Sequence, residues 1–283
     1  MRISAEGRNH FALALPSAVV LLGLFVAPFG VFFVISFWRS QFFEMVPAFT
    51  VENYVEVINI YYDIILMTFS IGLAISVIAT TLAFSFAYII RFEVGRYGPL
   101  LLFVVMVTMF GGYLVKLYAW KTILGTEGIL TSALIALGII NEPLTLFIYN
   151  PGAVAIALVH FLFPFAILPI YSSLRGISDA TVDAARDLGA NGWQVLRGII
   201  LPQCRPGLLA ALVFSFIISA GDFVTPTFVG GPHPSMIGVF IHSQFVVRFN
   251  WPLGAAMAFT VLLGGAAIIL VLQILVSRLK PRW

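Results

Sequence analysis

The sequence predicts an all-α membrane protein with six transmembrane helices. Three observations carry that expectation. The 283 residues are 61% hydrophobic and only 10% charged, with 27 Phe. The mean hydropathy of +1.06 lies far above that of soluble domains. The apolar residues fall in runs long enough to cross a hydrocarbon core, which takes about 20 residues of helix. Lys and Arg sort unevenly between the alternate loops that six spans create.

The first apolar run, 12–37, has no small-residue cleavage site at its end and is read as an uncleaved span. The second and third are 64–90 and 98–120, the third shading into the mixed segment "GGYLVKLYAWKTILGTEG". The fourth and sixth, 152–174 and 254–277, are long and apolar. The fifth, 206–229, is interrupted by Gly221, Asp222 and Pro226. Prolines within spans (Pro28, Pro164, Pro169, Pro226) mark expected kinks, which neighbouring helices can tolerate. The intervening segments 38–63 and 121–151 have room for short interfacial helices, with turn signals at Gly125, Gly128, Asn141 and Pro143.

Charge placement tests this count. With the N-terminus in the cytoplasm, the inner segments hold Arg2, Arg8, Arg91, Arg96, Arg175, Arg186, Arg197, Arg205, Arg278, Lys280 and Arg282. The outer segments hold only Arg39, Lys116, Lys121 and Arg248. Eleven against four follows the positive-inside rule and predicts that both termini are cytoplasmic. Glu44, Glu52, Glu56 and Asp63 gather in the first outer loop. One transmembrane domain over 1–283 accounts for the chain.

The inner segment 178–202, "SDATVDAARDLGANGWQVLRGIILP", is the polar exception. Ser178 suits an N-cap, and Asp179 suits the positive end of a helix running to about Leu188. Gly189 supplies a left-handed stop. Asn191, with Gln194 three residues on, reads as a capping box opening a second helix that Pro202 would end. Asp179, Asp183 and Asp187 share one edge of the first helix, and Ala180, Ala184 and Leu188 share another. On these residues alone, a solvated connector on the membrane surface accounts for the pattern.

The spacing within "DAARDLGANGWQVLRGIILP" resembles the cytoplasmic signature of ABC importer permeases: Glu-Ala-Ala, three residues, Gly, nine residues, Ile, one residue, Leu-Pro. Asp183, Ala184, Ala185, Gly189, Ile199, Leu201 and Pro202 occupy those positions, with Asp replacing Glu. The stretches 114–130, 221–232 and 251–259 are similar to the polyamine (spermidine/putrescine) branch, in which Lys116 replaces a more usual Arg. The substitution keeps a cation but loses a planar fork.

The resemblance implies a type I ABC importer permease fold in a bacterial inner membrane, with a cytoplasmic coupling helix. Its implied ATPase-coupling residues are Asp183, Ala184, Ala185, Arg186, Asp187, Gly189, Leu201 and Pro202. The implied partners are a second homologous permease in a heterodimer, a cytoplasmic ABC ATPase dimer and an external solute-binding protein. ATP and Mg are expected on the ATPase and no cofactor on this chain, which has no Gly-x-x-x-x-Gly-Lys-Ser/Thr phosphate loop. Transport would proceed by alternating access, with polyamines or related small organic cations as substrate.

Other chemistry is sparse. Cys204 is the single cysteine, so an intrachain disulfide is excluded. His10, His160, His233 and His242 lack metal-ligand spacing, and nothing resembles a nucleic-acid-binding surface. His160 fits a packed, hydrogen-bonded residue better than a proton relay. Asp222 is the only acidic residue well inside an expected span, where a charge needs a cavity or partner. It is either a pathway carboxylate for a cation or a structural group. Tyr113, Tyr118, Trp120 and Trp251 could add cation–π contacts, or could anchor the membrane interface. An ion-coupled secondary transporter is the alternative, and it would need coupling-ion residues in the spans.

Overall fold

In the computed structural model, residues 15–17, 19–41, 44–231 and 236–277 are described. Residues 12–14 of the expected first span, His10, His233, Arg2, Arg8, Arg278, Lys280 and Arg282 lie outside them. Among the described residues, five helices are long and apolar enough to cross a membrane, or six when one bent helix pair is counted as a single span. The chain divides into a smaller compact unit, Met1–Tyr62 with Phe240–Leu262, and a larger one, Asp63–Val239 with Leu263–Trp283.

In the smaller unit, the first span, Leu15–Ile35, opens into a π turn at Leu22–Val26 just before Pro28 and then continues as α1 (Ala27–Ile35). The wider turn accommodates a residue that has no backbone N–H. Phe29 and Phe33 meet Phe259 edge-on at 4.9 and 5.1 Å. The span ends where Ser36 Oγ meets Tyr54 Oη at 2.7 Å, and Asn53 Nδ2 donates to the Ser36 and Trp38 carbonyls. A short antiparallel hairpin, β1 (Arg39–Gln41) with β2 (Glu44–Val46), follows. Arg39 Nε donates to Glu52 Oε2 at 2.9 Å.

The second span is much longer than its apolar core. The helix α2 (Glu52–Phe92) runs for 41 residues, so the acidic residues Glu52, Glu56 and Asp63, expected in a loop, ride on its first turns. Their Asn- and Glu-containing sequence carries no Gly or Pro to stop it.

The expected third span is not one helix. The helix α3 (Gly98–Met109) stops at Phe110, and α4 (Tyr113–Leu124) starts after Gly112. The axis of α3 and that of α4 with its continuation α5 (Ile129–Ala136) differ by 93°. Consecutive glycines at 111 and 112 remove the side chains that would favour continued helix, with Gly112 in an extended conformation (φ −56°, ψ 141°).

The fourth span, α6 (Pro151–Arg175), begins at an Asn150 cap whose side chain accepts from Ala153 N–H. It continues unbroken through Pro164 and Pro169. Its main neighbour is a helix formed later in the chain, α9 (Leu201–Gly221), and close approach explains why residue 207 is glycine. A β-carbon there would collide with the Pro169 carbonyl and lie 2.5 Å from Ser173 Oγ. Buried Cys204 points at the Ile170 carbonyl at 3.8 Å.

The fifth span also departs from expectation. It ends at Gly221 rather than 229, and a separate short helix, α10 (Val224–Val229), follows a break at Asp222. The chain closes with α11 (Ile237–Val246) and the sixth span, α12 (Trp251–Ser277). Ile237 N–H is held by Thr68 Oγ1 of α2 at 2.8 Å.

Candidate functional site

Two regions of the larger unit hold the candidate residues. The first follows α6. After buried Ile177, Ser178 takes the N-cap conformation (φ −69°, ψ 133°) of α7 (Asp179–Asp187). Its hydroxyl makes no capping bond, so position alone matches the expectation. Leu188 ends the helix, and Gly189 turns the chain at φ +87°. No atom lies within 4 Å of a β-carbon placed at Gly189, so the backbone conformation alone demands glycine there. The expected capping box is present in full: Gln194 N–H donates to Asn191 Oδ1 at 2.9 Å, and Asn191 N–H donates to Gln194 Oε1 at 2.8 Å.

The second helix, α8 (Gly192–Val195), does not stop at Pro202 as expected. It passes through a π turn, Leu196–Ile200, directly into α9, whose first two residues are Leu201 and Pro202. The missing proline N–H falls where the wider turn leaves no i−4 bond to be made. Leu201 and Pro202 are thus the start of a span and not the end of a connector.

Burial divides α7 sharply. Val182 is its buried residue, and Ala185 packs against the same core. Val182 joins Ile177, Val195, Ile199 and Ile200 in a cluster with Ala83 and Ala87 of α2 and Ile167, Ile170 and Leu174 of α6. Asp183, Ala184, Arg186, Asp187 and Gly189 are exposed, Leu188 is 90% exposed and Trp193 64%. One face of α7 is rooted in the spans, and the other presents acid and small residues, with Leu188 exposed just past its end. The first acid, Asp179, is engaged: Arg91 Nη2 donates to it at 2.6 Å and to the Ile177 carbonyl at 3.2 Å.

The second region is where the two helix breaks meet. Tyr113, the first residue of α4, makes a 2.6 Å hydrogen bond with Thr225 Oγ1 of α10. Asp222 lies in the break between α9 and α10, where its carboxylate accepts from the N–H groups of Val224 at 3.2 Å and Thr225 at 3.0 Å. The same carboxylate therefore caps a half-helix and remains partly exposed. The Tyr113 ring packs on Phe161 at 4.5 Å, and the Lys116 ammonium lies 5.5 Å from that ring. Lys116 Nζ is buried with no hydrogen-bond partner among the described residues. Trp120 Nε1 donates to His160 Nδ1 at 3.2 Å, so His160 is hydrogen-bonded as expected but exposed rather than packed away.

The structure thus brings Tyr113 and Asp222 together through Thr225 and places Trp120 on the same face of α4 one turn beyond Lys116. Tyr118 is exposed and instead meets Phe228 at 5.3 Å. Trp251 belongs to the smaller unit, where it packs against Phe32 and Phe245. Lys116, Phe161, His160 and Thr225 complete a cluster that was not assembled from the sequence. Its one advance signal was a lysine inside a predominantly apolar helix. No group of three or more potential metal-ligating side chains occurs among the described residues.

Long apolar helices, one of them broken at a partly buried carboxylate and preceded at its other end by a polar helix, are the architecture of a multi-pass membrane transport protein. The chain belongs to the family of binding-protein-dependent transport system inner membrane components, whose pattern matches residues 92–283. It is 34% identical over 210 residues to the spermidine/putrescine transport system permease protein PotB of Haemophilus influenzae, covering 74% of this chain and 73% of that protein. The PotB of Escherichia coli K12 is 33% identical over 222 residues, covering 78% and 80%. The fold matches a bacterial alginate ABC transporter solved with an alginate pentasaccharide-bound periplasmic protein. That match has a TM-score of 0.76 at 15% identity and covers 94% of this chain and 93% of the other. The protein is accordingly a multi-pass inner-membrane transport component, and the family gives no support to the ion-coupled alternative.

Proposed function

We propose that the chain, acting as one transmembrane domain over 1–283, is the permease for polyamines or related small organic cations in an ATP-driven importer. Identity of about one third across most of the chain to two proteins named for spermidine and putrescine supports the substrate class. The observation that carries the pathway assignment is the junction of the two helix breaks. There a partly exposed carboxylate, Asp222, stands beside Tyr113 and Thr225. Interrupted helices expose backbone poles inside a bundle, which is where solutes are held in many transporters. Tyr118, Trp120 and Trp251 are proposed as further aromatic contacts along the path.

The α7 segment is the coupling element. Its exposed residues Asp183, Ala184, Arg186, Asp187 and Gly189, with half-buried Ala185 beside them, meet a separate ATPase dimer that binds ATP and Mg. Leu201 and Pro202 carry its movement into α9. Closure of the ATPase pair moves α7, and the spans alternate between outward and inward access. A second permease completes the pathway, and an external binding protein delivers the amine. The basic bias of the inner loops supports cytoplasmic termini.

The test is uptake of labelled putrescine or spermidine into proteoliposomes holding the full complex and its binding protein. Uptake should require ATP on the ATPase side and persist when ion gradients are collapsed. Uptake that follows an ion gradient without ATP contradicts the proposal. ATP-dependent complexes indifferent to every amine contradict the substrate class alone.

A further inference from the structure

The connection between α7 and the spans is narrow enough to name one residue. Resting on the coupling role given above for α7, we propose that Arg91 is the positioning residue that makes α2 follow the coupling helix. Arg91 lies in the last turn of α2, and Asp179 in the first turn of α7. A cation is favoured at the first position by the negative helix pole, and an acid at the second by the positive pole. The two ends are brought together by a single guanidinium. Its Nη2 reaches Asp179 Oδ1 at 2.6 Å and the Ile177 carbonyl at 3.2 Å, just ahead of the helix cap.

The latch is built from the α2 side. The Arg91 side chain is 21% exposed and its guanidinium carbon lies 4.9 Å from the Phe92 ring centre, whereas Asp179 is 69% exposed. Beneath it, Ala83 and Ala87 of α2 share a core with Ile177 and Val182. That apolar contact keeps α7 near α2 but is non-directional. The two N–H bonds of a single nitrogen, Nη2, are divided between a carboxylate and a carbonyl, which fixes orientation. A partly exposed ion pair adds little to stability, so its loss should spare folding. Displacement of α7 is thereby passed to a helix of 41 residues, in addition to α9 to which it is covalently continuous.

The readout is amine imported per ATP hydrolysed by the complete reconstituted complex. Arg91→Ala should lower that ratio about tenfold, within the range that coupling residues reach, while assembled complex and ATP hydrolysis stay near normal. Arg91→Gln, whose amide falls two bonds short of the position of Nη2 and lacks the charge, should lower it to a similar extent. The exchange Arg91→Asp with Asp179→Arg should restore part of the loss seen in either single variant. A merely structural role would reduce assembled complex and leave the ratio intact. An unchanged ratio in both Arg91→Ala and Arg91→Gln overturns the proposal. A parallel Gly189→Val complex separates the two readings. If it uncouples while the Arg91 variants do not, the latch alone is wrong; if neither uncouples, the coupling role of α7 is wrong.

Discussion

Asp222 and Lys116 carry opposite charges into the cluster where the two helix breaks meet, and opposite effects are expected on removing them. Asp222→Asn removes an anion that attracts an amine and retains one oxygen for the α10 cap, so part of the N–H pairing at Val224 and Thr225 survives. Its apparent KM for the amine should rise several-fold. Lys116 presents a buried, unpaired ammonium against the Phe161 face. That charge repels a cationic solute at close range. Lys116→Gln should therefore lower the KM for the same amine. Uptake kinetics of both variants, normalised to assembled complex, check the pair. Shifts in the same direction would mean that the cluster acts through packing rather than charge. The sequence alone left Asp222 divided between pathway and structural roles, because its capping geometry depends on where the helix stops.

The 178–202 segment, proposed above as the coupling element, is the part most legible in the sequence. Ser178, Gly189 and the Asn191–Gln194 box act within a few residues of themselves, and each stands in the position that local chemistry assigns. The spans were legible as apolar runs but not in their interruptions. The break at Gly111–Gly112 and the π turn before Pro202 are departures of the backbone, which a hydropathy profile does not encode. The convergence of Tyr113 with Thr225, 112 residues apart, left no local trace at all. Gly189 offers the sharpest test at this scale. A residue with a β-carbon pays about 1–2 kcal/mol to adopt its left-handed backbone, whereas Asn is the side chain best able to tolerate it. Gly189→Asn should keep amine uptake within about twofold of normal, and Gly189→Val should lower uptake per ATP. Equal uptake by the two variants, at equal assembly, would show that the turn is not required for coupling.

At the scale of the whole molecule, α7 and the turn after it present a polar surface that the described spans do not cover. Leu188, 90% exposed, stands between Asp187 and Gly189 where a lipid-facing surface would be uniformly apolar. A soluble partner on the cytoplasmic side, as proposed above, would account for that mixture. The central proposal is that the α7 surface is cytoplasmic and is covered by the ATPase. The protein has one cysteine, Cys204, which is buried, so an introduced thiol reports with little background. The most direct measurement is labelling of a Leu188→Cys variant by a membrane-impermeant thiol reagent in oriented vesicles, with and without the ATPase. Labelling is expected only in inside-out vesicles, and bound ATPase should suppress it. Labelling from the outer face, or labelling unaffected by the ATPase, would contradict the claim.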